Sequence, residues 1–313
     1  MKIDKLEIKG KIFLAPMCDV TTLPFRLVCK KYGASVVYTE MINADAYLMN
    51  NSKTKKRIYT IDEERPFGIQ LMGSTIEKLK LAAIKTEKEY KPDLIDLNFG
   101  CPAYNVIKTG SGSALLKDIN KVKELISTIS SSIKTPLTCK MRILANDKDT
   151  ILAAKTIQDA GAKLLTIHGR TAGQKYSGKA NWDIIKKVKQ ELEIPVILNG
   201  DINDEESANN ALLTNVDAIM IGRAAIGNPY IFKRINHYLE TGKKLDDETL
   251  KNRIDVFFEI LELCKKYDYL EIKPIKIFAF NSVKGFHKSK DIKRKLALCK
   301  TIKELEELLF NYK

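Results

Sequence analysis

Residues 94–117 read LIDLNFGCPAYNVIKTGSGSALLK. A short apolar run carrying Asp96 and Asn98 stops at Gly100, presents Cys101 ahead of Pro102, and crosses a segment of glycines and serines (Gly110, Ser111, Gly112, Ser113). The pattern becomes helical from Ala114. A run this short, bounded by Gly and Pro, predicts a strand, then a flexible loop, then a helix. The strand ends in a thiol, and nucleophile, metal ligand and acid all remain open for it at this point.

The same unit recurs on both sides of this stretch. Apolar segments at 12–17, 35–40, 67–72, 94–99, 136–142, 164–168, 195–201 and 218–223 alternate with helical patterns such as 76–90, 119–130, 150–160, 182–192 and 203–213. Asp149 and Gly161 are placed to cap the helix at 150–160, and Asn203 or Asp204 to cap the one at 203–213. Eight strand-then-helix units predict an α/β fold, a (β/α)8 TIM barrel, with its active site at the C-terminal ends of the strands. A doubly wound open sheet would need a GxGxxG turn after an early strand, and the chain has none.

Past Phe232 the strands cease. The domain expectation is a barrel over 1–240 and a small all-helical, basic domain over 241–313, joined by the polar stretch 238–247, with Asp246 or Asp247 capping the first tail helix. From Lys273 to Lys300 nine Lys or Arg residues face Asp291 as the lone acid, with Phe278, Phe280, Phe286 and His287 among them. The phenylalanines are expected to fill the core of that domain.

The 313 residues hold 53 basic and 39 acidic side chains, a formal charge of +14, which favours a polyanionic partner. Lysine enrichment alone also arises from genome composition or growth temperature. The basic stretch 53–57, read as a loop after the second strand, is a further candidate contact for such a polyanion, or a solvated charged loop. No apolar run reaches the length of a membrane span, and the N-terminus lacks the apolar core of a signal peptide, so a cytoplasmic location is expected. The six cysteines are scattered with no CxxC pair, so neither a disulfide framework nor a metal site is expected.

Asn199-Gly200-Asp201 and Gly222-Arg223 close the seventh and eighth strands, where barrels commonly hold a phosphate. Gln70, Lys140 and His168 end the third, fifth and sixth strands and offer donors for the edge of a planar, carbonyl-rich ring, a description that a flavin mononucleotide fits. Cys101 sits just past a strand in a glycine-rich loop, a place for a general acid that needs no activating base.

These residues resemble the tRNA-dihydrouridine synthase family, flavoenzymes that reduce a uridine in transfer RNA. The resemblance runs through LAPMCDVTTLPFR (14–26), YTEM (38–41), FGIQLMGS (67–74), IDLNFGCPAYNVIKTGSGSALLKD (95–118), LTIHGRTAGQKYSGKANWD (165–183), PVILNGDI (195–202) and AIMIGRAAIGNPYIF (218–232). KGFHKSKDIKRKL (284–296) is similar to the family's C-terminal helical domain. The resemblance implies that Cys101 protonates the uracil ring. It implies FMN contacts from Pro16, Met17, Cys18, Gln70, Lys140, His168, Asn199, Gly200, Asp201, Gly222 and Arg223, and uracil contacts from Asn98, Arg142 and Tyr176. It further implies NADPH as reductant and tRNA as partner, and the chain is expected to act as a monomer. Asp19 departs from the family, many members of which carry a small glycine there, and the segment after Arg142 is shorter than in many bacterial members. An FMN enzyme of small molecules, similar to dihydroorotate dehydrogenases, and a non-catalytic tRNA-binding protein are the alternatives. The expected hinge of the Cys101 loop is Gly110 to Ser113.

Overall fold

The computed structural model describes residues 1–313. Eight parallel strands form the barrel: β1 (Ile12–Leu14), β2 (Val37–Tyr38), β3 (Phe67–Met72), β4 (Leu94–Phe99), β5 (Leu137–Arg142), β6 (Leu164–His168), β7 (Val196–Asn199) and β8 (Ala218–Ile221). Each pairs with the next from β3 to β8, β8 pairs with β1, and β2 pairs with β3. A parallel bridge between Phe13 and Val36 closes the ring. The expected TIM barrel is present, although β1 and β2 are shorter than the apolar segments that mark them.

Side chains alternate across each strand. Ile95, Leu97 and Phe99 of β4 join the large core beneath the helices, as do Leu137, Cys139 and Met141 of β5. The opposite faces line the barrel lumen and hold Asp96 and Asn98, Thr138 and Lys140, and Thr166 and His168, all of them in strand interiors or at C-terminal ends. At the other end an N-terminal hairpin (Lys2–Ile3 with Leu6–Glu7) packs Ile3 and Ile8 against Phe13, Leu94, Leu164 and Ala218. The last three open their strands. The hairpin thus plugs the N-terminal opening with hydrocarbon.

Around the barrel run α1 (Leu23–Lys31), α2 (Ala44–Leu48), α3 (Ser52–Ile58), α4 (Ile76–Tyr90), α5 (Tyr104–Ile107), α6 (Ile119–Ser130), α7 (Asp147–Asp159), α8 (Trp182–Glu191), α9 (Glu205–Leu212) and α10 (Ile231–Thr241). The basic stretch 53–57 is therefore helix rather than loop, begun by the Asn51 side chain accepting from the Thr54 amide. Helix α7 begins three residues ahead of the expected start and takes Asn146, not Asp149, as its cap. Asp204 caps α9 in a reciprocal arrangement with Ser207, as expected of that position.

Four helices complete the chain: α11 (Leu250–Lys266), α12 (Ile272–Ser282), α13 (Ser289–Leu298) and α14 (Ile302–Phe310). Thr249 caps α11 with Asn252, so neither Asp246 nor Asp247 does; they lie in the extended joint that follows Gly242, whose φ of +71° ends α10. Phe25 of α1 stacks on Phe278 of α12 with ring centroids 5.0 Å apart, and the Tyr269 hydroxyl donates to the Lys56 carbonyl at 2.6 Å. Barrel and tail share one continuous apolar core.

Candidate active site at the barrel mouth

The C-terminal ends of the strands open into a cavity of about 590 Å³. Its lining includes Pro16, Met17 and Cys18 after β1, Asn98 on β4 and Cys101 after it, Lys140 and Arg142 on β5, and His168 ending β6. Tyr176, Asn199, Gly200, Asp201, Gly222 and Arg223 complete the set of expected site residues that face it. Gln70 does not line the cavity. It is wholly buried one step below, where it donates to Asp96 at 2.7 Å and accepts from Asn98 at 2.8 Å.

Lys140 and His168 lose most of their hydration here. Burial lowers the Lys140 ammonium to about 8, with Arg142 adding repulsion, while its Nζ donates to Asn199 at 3.0 Å. Burial, then Lys140 and three arginines, push the His168 imidazole down to about 2, so it is neutral. Its Nε2 is buried with no partner in the chain, and such an atom calls for one from a ligand.

Gly200 and Gly222 shape the opposite wall. Gly200 has φ of +115°, and a Cβ there would stand 2.9 Å from His168 Cδ2; Trp182 Nε1 fixes its carbonyl at 3.0 Å. Asp201 (φ +57°) is occupied, accepting from Arg170 and from the Ala180 amide, each at 2.7 Å. It therefore braces the loop after β6 rather than reaching inward. Arg223, half exposed, lies over the Tyr176 ring at 4.4 Å.

Cys101 is half-buried at the rim. The Asn98 Oδ1 accepts from the amides of Gly100 (3.1 Å) and Cys101 (2.9 Å), while Ser113 donates to the Cys101 carbonyl through both its amide and its hydroxyl. The segment expected as a hinge is a packed bracket. A Cβ at Gly112 would fall 2.8 Å from the Cys101 carbonyl oxygen, and Ser111 is buried, so glycine here serves close approach rather than motion. Arg142 spends its Nε and Nη1 on backbone carbonyls, Gly100 at 2.8 Å and Lys175 at 2.9 Å, tying the thiol loop to the Tyr176 loop.

Arg170 and the pair Asp96 and Thr138 are not among the expected site residues, and Asp19 figures there only as a departure from the family pattern. Arg170 follows His168 by two residues and braces the mouth through Asp201, with its Nη1 buried and unpartnered. Asp96 and Thr138 meet in the lumen at 2.5 Å; the period-two spacing of Asp96 with Asn98 was the available signal. Asp19, the residue that departs from the family pattern, adopts φ of +58° and bridges Arg57 at 3.0 Å and Lys273 at 2.5 Å.

A closed parallel barrel whose polar lumen opens on a thiol, a neutral imidazole and cationic loops at the C-terminal mouth has the form of a (β/α)8 enzyme. Comparison with known proteins gives the family. A model described as dihydrouridine synthase (Dus) matches residues 13–312. The chain is 37% identical over 271 residues to a probable tRNA-dihydrouridine synthase of Rickettsia conorii, covering 85% of this chain and 82% of that one. It is 36% identical over 264 residues to tRNA-dihydrouridine synthase B of Pseudomonas aeruginosa, covering 83% and 79%. For the synthase B of Pseudomonas putida the identity is 40% over 250 residues, covering 78% and 73%. The chain belongs to the dihydrouridine synthase family and is an oxidoreductase. A chain of the Amycolatopsis orientalis BexX/CysO complex shares the fold, with a TM-score of 0.51 at 16% identity over 79% of this chain and 98% of that one. No helix is long and apolar enough to cross a membrane.

Proposed function

We propose that this protein reduces the C5–C6 double bond of a uridine in tRNA, with FMN as bound cofactor and NADPH as reductant. The observation that carries the reading is the buried, unpartnered His168 Nε2 facing the same cavity as Cys101. A donor set of the neutral His168 with Lys140 and Asn199, with room left by Gly200 and Gly222, suits a planar ring bearing carbonyls and a phosphate. FMN, when bound, supplies the hydride for uracil C6.

The chain's own groups do the rest. Lys140, His168 and Asn199 would hold the ring; Pro16, Met17 and Cys18 would line one side of it. The backbone at Gly200, Asp201 and Gly222, with the Arg223 guanidinium, would receive the phosphate, and Gln70 supports this set from below. Cys101 would donate its proton to uracil C5, and it needs no base because the protonated thiol is the acid. Asn98 would meet the uracil edge, as would Arg142 through its one terminal nitrogen free of backbone bonds, with Tyr176 beside it. Residues 241–313, with α13 and its neighbours, form the basic surface proposed to take the tRNA backbone, and the cell compartment proposed is the cytoplasm.

The reading is tested by purifying the protein, recording its flavin spectrum, and measuring dihydrouridine in tRNA from cells lacking it. A yellow protein that oxidises NADPH and restores dihydrouridine is expected. A colourless protein that FMN cannot reconstitute sinks the proposal, and tRNA binding without NADPH oxidation favours a non-catalytic RNA-binding role.

A further inference from the structure

Beneath the mouth, one hydrogen-bonded chain crosses three strands. Thr138 donates to Asp96 Oδ1 at 2.5 Å, Gln70 Nε2 donates to Asp96 Oδ2 at 2.7 Å, Asn98 Nδ2 donates to Gln70 Oε1 at 2.8 Å, and the Cys101 amide donates to Asn98 Oδ1 at 2.9 Å. Asp96, Gln70, Thr138 and Asn98 are all buried. The two ends of this chain are chemically fixed. A carboxylate only accepts and a backbone N–H only donates, so the two amides between them have a single consistent orientation.

We infer that Asp96 is a positioning residue for Cys101: its carboxylate sets the direction of the Gln70 and Asn98 amides, and Asn98 thereby holds the turn that presents the thiol. The argument for a catalytic consequence rests on the proposed function; the argument for positioning does not. A neutral group at position 96 loses the charge assistance of the bond to Gln70, so the amides are held less tightly in the one arrangement that the Gly100 and Cys101 N–H groups also favour. The barrel interior has no packing need for a carboxylate at this depth; Leu94, the preceding lumen residue of the same strand, is apolar.

The titratable groups around Asp96 are Lys140 and Cys139 on β5 and Tyr38 on β2. Burial raises the Asp96 carboxyl to about 6, with Gln70, Thr138 and Lys140 opposing the rise. It is therefore ionised at pH 7.5 and neutral at pH 5, which allows a test in the unaltered protein.

The test is peptide-resolved amide hydrogen exchange of the full chain, corrected for intrinsic chemical exchange, on the segment holding Gly100 and Cys101. Protection of these amides is expected to fall about three- to tenfold in the wild type between pH 7.5 and pH 5. In Asp96→Asn it is expected to sit at the low value at both pH values. The variant should also melt at a higher temperature than wild type at pH 7.5 and at the same temperature at pH 4, whereas a residue kept only for stability would melt lower when replaced. For turnover, kcat on tRNA should drop by a larger factor than KM rises. Protection equal in both proteins and independent of pH overturns the inference. A wild type that reduces no uridine while its protection still falls with pH supports the positioning role and overturns the functional reading instead.

Discussion

The two ends of one barrel are built from opposite chemistry. At the N-terminal end Ile3 and Ile8 of the hairpin meet Phe13, Leu94, Leu164 and Ala218, a plug of hydrocarbon side chains. Two residues further along the same strands the lumen holds Asp96, Thr138 and Thr166, and then Asn98, Lys140 and His168. Several of these stay unsatisfied or discharged: Thr166 Oγ1 and His168 Nε2 have no partner, and burial drives the Lys140 and His168 cations and the Asp96 anion toward their neutral forms. One end gains stability from burial and the other spends it on orientation. Stability and chemistry are thus separated along a strand by about two residues, or roughly 7 Å.

Four substitutions test this separation. The largest effect is expected at the mouth: Cys101→Ala should lower turnover roughly 10²- to 10⁴-fold, read by single-turnover formation of dihydrouridine, with folding unchanged. At the plug, Phe13→Ala should cost about 3–5 kcal/mol in denaturant unfolding, with activity per folded molecule preserved. If Phe13→Ala instead abolished activity at full folding, the division between the two ends would fail.

Asp96→Asn gives a smaller effect of the opposite sign. The folded carboxyl, at about 6, lies above its ordinary 3.8, so the folded state binds more protons than the unfolded one between these values, and stability falls as pH rises through that window. Removing the charge should therefore stabilise the protein by about 3 kcal/mol at pH 7 and by nothing at pH 4, measured by urea unfolding at both. The smallest effect belongs to the surface. Lys273→Ala should reduce the salt slope of tRNA binding by about 0.7–0.9, if its Nζ leaves Asp19 for one phosphate, and filter binding across a salt series reads it.

The barrel was legible because its strands repeat with regular punctuation, and β3, β4 and β6 begin and end where the apolar runs do. Asn98, Cys101, Lys140 and His168 were legible for the same reason, since a barrel exposes the residues at its strand ends. What escaped was whatever depends on the lumen. Gln70 reads as a mouth residue by its place near a strand end, yet the stagger of the strands sets it level with Asp96 and below the cavity. Asp201 reads as a phosphate neighbour, but Arg170, two residues past another strand, claims its carboxylate. Gly112 reads as flexibility because sequence cannot distinguish a glycine that moves from one that lets Cys101 and Val106 approach. Caps one turn away from the expected ones, Asn146 and Thr249, reflect the weak discrimination among neighbouring Asx and Thr residues.

The stacking of Phe25 on Phe278 has a consequence for how the chain can be divided. A fragment ending at Thr241 would keep every strand, but it would bare the outer surface of α1 that α11 and α12 cover, beginning with a phenylalanine that is now completely shielded from water. Such a fragment would be sticky rather than minimal. The basic helices are, to the barrel, a lid on its flank before they are anything to a nucleic acid.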